Sequence, residues 1–248
     1  MQSATVYCST ITDPDWLNWP DCLFTEKVAV FRLKLADDAI IPPYLYAWLQ
    51  PNERERAARF RRKEDHNRFV VGRIMTKVVV SKFTHRDLAD IRLVPGVNSK
   101  PELAGIPDLQ INLSHSGSWI VLAISSESVG VDIEKMVSDF PFEDIVSNSF
   151  SEKEQRSVES NRNPRAAFYR LWTRKEALSK ATAKGMDDDF SLIPSLDGEH
   201  CIEAGIIGGD GFWALTSFTI ADDYPAAIAY RPIVETPKFY TIESGQFA

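Results

Sequence analysis

The chain is poor in the residues that thiolate-metal, secreted or membrane proteins depend on. It has three cysteines, Cys8, Cys22 and Cys201, an odd number with no CxxC pair. That indicates neither a disulfide framework nor a cysteine zinc site, and reduced, buried thiols are the expectation. Its four histidines, His66, His85, His115 and His200, never fall in HExxH spacing, so histidine-bound zinc is not indicated. No apolar run reaches the ~20 residues a membrane helix needs. Asp13, Asp15, Asp21 and Glu26 stand where a signal peptide would be basic and then apolar. Positive charge is also short: 28 Lys and Arg face 35 Asp and Glu, for a net charge of −7. That argues against a general nucleic-acid binder. Solenoid periods and low-complexity tracts are missing too. A cytoplasmic protein with no membrane or nucleic-acid partner is the expectation.

What is present is ordinary globular material. Of 248 residues, 44% are hydrophobic and 25% charged, enough to bury a sizeable core in one large domain or two small ones. The periodicity changes along the chain. Val28 to Leu33 reads as a strand. Pro43 opens a short apolar helix, residues 52 to 63 a polar one, and about Glu64 to Phe83 an amphipathic one with Phe69, Val70, Ile74 and Val78 on its core face. Residues 109–113, 119–124 and 129–134 read as three strands joined by turns, an antiparallel meander. Helices return at Ser151 and at Asn163-Pro164, the second reaching about Lys184 with Gly185 as its cap. Strands follow at 213–220 and 226–230. The order β, α, β is thus met twice, and two similar halves, 1–127 and 128–248, fit it.

Several stretches carry chemistry. In Val129-Gly-Val-Asp-Ile-Glu134, alternation puts Asp132 and Glu134 on one face of a strand and the valines on the other. Two neighbouring carboxylates suit a hard cation such as Mg²⁺; a solvated acidic face is the plainer reading. In the helix Phe168 to Lys180, Trp172, Glu176 and Lys180 lie at i, i+4 and i+8. Glu176–Lys180 is by itself an ordinary surface pair. Lys175 falls where the apolar stripe should continue, so it either lines a pocket or snorkels. The turn Ser114-His-Ser-Gly117 offers hydroxyls, an imidazole and open amides that can hold phosphate oxygens. Ser151-Glu-Lys-Glu154 is a capping box. Residues 53–68 hold seven basic against four acidic residues, a local anion site or a Glu–Arg-laced helix face.

Taken together and in this order, these stretches resemble the Sfp-type 4′-phosphopantetheinyl transferases. The resemblance runs from about Pro51 to Phe190 and rests on Leu113-Ser-His-Ser-Gly117, Gly130-Val-Asp-Ile-Glu134, Phe150-Ser-Glu-Lys-Glu154 and Leu171-Trp-Thr-Arg-Lys-Glu-Ala177 with Lys180. It implies an α+β fold of two similar halves related by a pseudo-twofold, each a small, mainly antiparallel sheet packed on helices. The nucleotide side of a coenzyme A site belongs to residues 1–127, and the metal and catalytic residues to 128–248. By the same resemblance Asp132, Glu134 and Glu176 match Mg²⁺ ligands (Mn²⁺ being an alternative). Lys175 and Lys180 match contacts to the diphosphate and arm, Ser114 and His115 phosphate contacts, Lys100-Pro101 the adenine loop, and Arg56 the 3′-phosphate end. Glu154 matches the base that activates the acceptor serine, with Lys180 and His115 stabilising charge. The implied reaction moves the phosphopantetheine arm of coenzyme A to a serine of an acyl, peptidyl or polyketide carrier protein, releasing 3′,5′-ADP, in a monomeric enzyme. A catalytically silent carrier-binding protein on the same fold is the alternative. Two positions depart from the pattern: Ser99 stands where glycine often precedes Lys-Pro, and Glu53 where a basic residue is common. Part of residues 137–150, with Phe140 and Phe142, would dock the carrier's helix; a core helix is the plainer reading.

Overall fold

The computed structural model describes residues 2–36, 39–232, 236–243 and 245. Strands β1 (Ser3–Thr10), β2 (Trp16–Asn18) and β3 (Val28–Lys34) lead into α1 (Pro51–Ala58), where Pro51 and a Gln50–Glu53 capping box start the helix. The helix ends at Ala58, short of residue 63, because Arg62 is extended and a new helix, α2 (Lys63–Thr84), begins there. A small hairpin, β4 (Leu93–Pro95) and β5 (Pro101–Leu103), precedes β6 (Gln110–Ser116), β7 (Trp119–Ser125) and β8 (Val129–Ile133). Helices α3 (Glu143–Ser149), α4 (Glu152–Glu159) and α5 (Pro164–Thr182) follow. The chain finishes with β9 (Gly198–Glu203), α6 (Ala204–Ile207), β10 (Gly211–Thr219), β11 (Pro225–Tyr230) and β12 (Lys238–Ile242). No helix among the described residues is long and apolar enough to cross a membrane.

Two five-stranded sheets result, in the orders β8-β11-β10-β1-β9 and β2-β12-β3-β7-β6. The expected meander holds for β6 and β7, which pair antiparallel, but β8 leaves it and pairs with β11 in the other sheet. The turn at 126–128 is therefore the crossing between halves. Each half repeats one plan. β3, α2, β6 and β7 give the spatial order β3-β7-β6, and β8, α5, β10 and β11 give β8-β11-β10. In both, the third strand returns between the first two. The terminal strands are exchanged: β1 lies parallel to β10 in the C-terminal sheet, and β12 parallel to β3 in the N-terminal one.

Apolar faces of the two sheets share one core, with Val30, Val121, Val131, Ile228 and Phe218 in it. Helix α2 covers the outer face of the N-terminal sheet through Val70, Ile74 and Val79, and α5 that of the other through Ala177, Leu178 and Ala181. Cys8 and Cys22 are buried free thiols, whereas Cys201 lies exposed on the edge strand β9, so the expectation of burial fails there.

Candidate active site

The site is assembled where β6, β8 and α5 meet. Gly130, Asp132 and Glu134 alternate along β8 on the side facing α5. A Cβ at Gly130 would stand 2.1 Å from the Ala177 carbonyl oxygen, so only glycine lets strand and helix approach this closely. On β6 the alternate residues Asn112, Ser114 and Ser116 reach across to β8 as a polar ladder. The Val131 amide donates to Asn112 Oδ1 (2.8 Å), Ser114 Oγ to Asp132 Oδ1 (3.0 Å), and Ser116 Oγ to Glu134 Oε2 (3.0 Å). Ser116 Oγ also accepts from the Lys135 amide at 3.0 Å.

From α5, Lys180 Nζ donates to Asp132 Oδ1 at 2.5 Å and to Ser114 Oγ at 3.3 Å, and lies 3.9 Å from Glu176 Oε2. Asp132 is 2% exposed, and its second oxygen, Oδ2, is buried with no hydrogen-bond partner. An uncompensated buried carboxylate oxygen is costly. Burial, and then the Asp132 charge, push the Glu134 carboxyl up to about 7. Burial also raises the pKa of Glu176, against the opposing pull of Lys180. Burial would lower the pKa of Lys180, but Asp132 and Glu176 outweigh it and the result is raised. The cluster thus holds more negative charge than its surroundings neutralise. Among the described residues no three His, Cys, Asp or Glu side chains converge as a metal cluster; the Lys180 ammonium stands among these carboxylates. The donor set is nevertheless all oxygen, with one acceptor unused, which fits a hard cation.

An open cleft leads away from this cluster. Its compartment of about 310 Å³ is lined by Glu176, Ser179, Lys180 and Met186 on one side and by Asn98, Lys100 and Leu113 on the other. Ser99 and Pro101 continue the wall into two further compartments lined by Arg56, Phe69 and Arg73, one of which also holds His115. The Arg56 and Arg73 guanidiniums each lie 5.2 Å from the centre of the Phe69 ring. One end of the cleft is therefore acidic with a lysine, and the other basic and aromatic. Partial desolvation, and then the Arg68 charge, lower the pKa of His115, so the neutral imidazole is favoured there.

Two family descriptions match the chain: the 4′-phosphopantetheinyl transferase superfamily over residues 128–229 and the 4′-phosphopantetheinyl transferase N-terminal family over residues 43–127. The chain is 33% identical over 162 residues to the 4′-phosphopantetheinyl transferase Sfp of Bacillus subtilis, covering 63% of this chain and 71% of that protein. It is 32% identical over 209 residues to the human L-aminoadipate-semialdehyde dehydrogenase-phosphopantetheinyl transferase, 74% of this chain and 67% of that protein. With the HetI transferase of Nostoc the match is 25% over 237 residues, 91% and 97% of the two chains. The chain belongs to the 4′-phosphopantetheinyl transferase superfamily. It is a transferase enzyme, and the silent-scaffold alternative falls.

Within this transferase most of the residues expected to act share the cleft. Asp132, Glu134, Glu176, Lys180 and Ser114 form one cluster; Arg56 and His115 line the basic end. Two expected residues are elsewhere. Glu154 is 2% exposed and saturated: Oε2 accepts from the Ser151 amide (2.8 Å), Ser151 Oγ (2.9 Å) and Lys175 (3.0 Å), and Oε1 from Ser195 Oγ. Lys175, fully buried, donates also to the carbonyls of Ser191 (3.0 Å) and Ile193. The pair secures α4 and the 190–195 loop against α5, so the structure brings neither a general base at Glu154 nor a diphosphate contact at Lys175 to the cleft. Lys100 lines the cleft with its stem, but its ammonium donates to the carbonyls of Val129 (3.0 Å) and Ala181 (2.9 Å), and burial lowers its pKa to about 8. Asn98 donates likewise to Ala183 and Lys184. The 98–100 loop thus caps the carbonyl end of α5 from the opposite half. Phe142 is core, stacked on Phe168 with ring centres 4.9 Å apart, whereas Phe140 remains at the rim.

Sequence pattern does not single out Arg73, and it assigns Phe69 to the core face of its helix. A lone cation inside the apolar run Phe69-Val-Val-Gly-Arg-Ile-Met75 was the clue to Arg73. Glu53, the departure at the basic position, is buried and lies 3.2 Å from Lys77 and 3.8 Å from Arg73. The positive charge at this end is carried by Arg56 of α1 and Arg73 of α2 instead of by residue 53.

Proposed function

We propose that the cleft binds coenzyme A with its 3′-phosphorylated nucleotide beside Arg56, Arg73 and His115 and its diphosphate at Lys180 and the carboxylate cluster. The enzyme then transfers 4′-phosphopantetheine to a serine of an acyl, peptidyl or polyketide carrier protein. The observation that carries this reading is the polarity of the cleft: two arginines at one end suit a phosphate monoester, and a lysine among carboxylates at the other suits a diphosphate with a cation. The serine hydroxyl attacks the phosphorus that bears pantetheine, the bond to the nucleotide diphosphate oxygen breaks, and 3′,5′-ADP leaves.

Asp132, Glu134 and Glu176 would hold Mg²⁺ (or Mn²⁺), the unpartnered Oδ2 of Asp132 supporting the fit. When bound, the ion supplies charge neutralisation at the diphosphate. Lys180, tethered through Ser114 and Asp132, places a further positive charge on the diphosphate oxygens. With Glu154 saturated and the cluster carboxylates engaged as metal ligands, the serine proton would leave to water in the open cleft. The 98–100 loop fixes the cleft wall by its bonds to α5. A cytoplasmic monomer is part of the same reading.

Intact-mass spectrometry of an apo carrier protein incubated with the enzyme, coenzyme A and Mg²⁺ tests this. The carrier should gain one phosphopantetheine. Asp132→Ala should slow the gain by about 100-fold or more, and a chelator should stop it. A carrier modified equally fast by Asp132→Ala would remove the cluster from the reaction.

A further inference from the structure

Lys180 is the feature whose position the transfer reaction alone does not explain. Its ammonium is not directed at the basic end of the cleft. It contacts Asp132 Oδ1 at 2.5 Å, lies 3.9 Å from Glu176 Oε2, and shares Ser114 Oγ with Asp132. Its side chain is 31% exposed and lines the open compartment next to Glu176, so it has room to swing into the cleft. Asp132, by contrast, is fixed on a buried strand and held by Ser114. The carboxylate that a cation would use is therefore already paired with a cation on a movable stem.

We propose that Lys180 is an internal counter-cation that competes with the divalent metal for Asp132 and is handed to the diphosphate when coenzyme A arrives. This rests on the metal reading given above. Metal entry at the unpartnered Oδ2 of Asp132 without coenzyme A sets the incoming charge beside the Lys180 ammonium on Oδ1, and the two cations repel. Coenzyme A removes that cost, because its diphosphate oxygens accept the displaced ammonium. Metal and coenzyme A then bind with positive coupling, and by linkage each tightens the other by the same factor. Lys180 is in this respect a positioning residue for metal uptake, in addition to any contact it makes with substrate.

Mn²⁺ binding followed by electron paramagnetic resonance, with and without coenzyme A, provides the test and requires no turnover. Wild-type protein should bind Mn²⁺ weakly alone and more tightly with coenzyme A. Lys180→Gln should bind Mn²⁺ alone at least tenfold more tightly than wild type, and coenzyme A should then add less. Lys180→Arg, which keeps the charge, should stay near wild type. If Lys180→Gln melts early, Lys180→Met, which keeps the aliphatic stem, carries the same comparison. Equal Mn²⁺ affinity of wild type and the neutral variants would overturn the proposal while leaving the metal reading intact. Absence of Mn²⁺ binding in every protein, with coenzyme A included, would sink both.

Discussion

Glu134 and Asp132 stand two residues apart on one strand face, and their charges meet in a place that water reaches poorly. The Glu134 carboxyl, pushed up to about 7 from an ordinary 4.5, makes a measurable contribution. Its folded pKa is above its unfolded one, so its stabilising share is complete below pH 4.5 and is lost as pH rises through 7. In chelator-containing buffer, wild type should lose stability over that window relative to Glu134→Gln. The difference should be roughly 2 kcal/mol after allowance for partial exposure, seen as roughly 4–8 °C in Tm. Parallel Tm profiles for the two proteins would contradict the assignment. The carboxylate pair could be read from sequence because strand alternation is strict; helical spacing only set Glu176 beside Lys180, and their part in the site came from the family resemblance. Glu154 and Lys175 lie outside the cleft, because a motif gives residue type and spacing but not which face of α4 or α5 is covered. Here the 190–195 loop, remote in sequence, closes over both. Arg73 escaped because periodicity assigned its whole helix face to the core, and its neighbours Arg56 and Pro101 come from elements that only the folded chain brings together.

The elements matter here through one close contact, that of β8 with α5. Asp132 lies on β8, Glu134 directly follows it and Glu176 lies on α5, so the separation of the two elements sets the geometry of the site. Gly130→Ala would drive a methyl group into the Ala177 carbonyl and the Ala181 amide, 2.1 and 2.3 Å away. Backbone atoms cannot yield as a side chain does, so a loss of about 3 kcal/mol or more is expected, roughly 6–12 °C in Tm. Transfer activity should fall with it, even at temperatures where the variant is folded. A variant that melts with wild type and turns over normally would show that the approach is looser than described. At this scale the helices were largely legible, since Pro51, Ser151 and Asn163-Pro164 mark their starts. The destination of β8 was not. Its alternation says that it is a strand with two occupied faces, but nothing local distinguishes pairing with β7 from pairing with β11, 90-odd residues further on.

On the scale of the molecule, the halves repeat one topology yet are not independent bodies. The C-terminal sheet needs β1 between β9 and β10, and the N-terminal sheet needs β12 beside β3. Ala4, Val6 and Cys8 of β1 are buried in the core under α5, and Tyr240 and Ile242 of β12 in the core under α2. Residues 1–127 and 128–248 expressed separately should therefore each lack cooperative melting by circular dichroism, and mixing them should restore it. Cooperative melting of residues 128–248 alone would show that β1 is dispensable. Two β-α-β runs in sequence suggested the duplication, but the exchange of terminal strands leaves no trace in local pattern, because a strand's alternation does not name its neighbours.

That exchange also has a temporal side. Ser9 and Thr216 face one another across β1 and β10 from positions 207 residues apart. At ribosomal speeds of about 5–20 residues per second, roughly 10–40 s separate the making of the two strands. Until β9 emerges, a few residues before β10, β1 has no strand partner, and its apolar side must be shielded by the nascent chain or by a chaperone. The residues that line the cleft all precede residue 187, but β8 pairs with β11 and α5 packs on β10 and β11, so the site takes its final geometry only after those late strands have emerged.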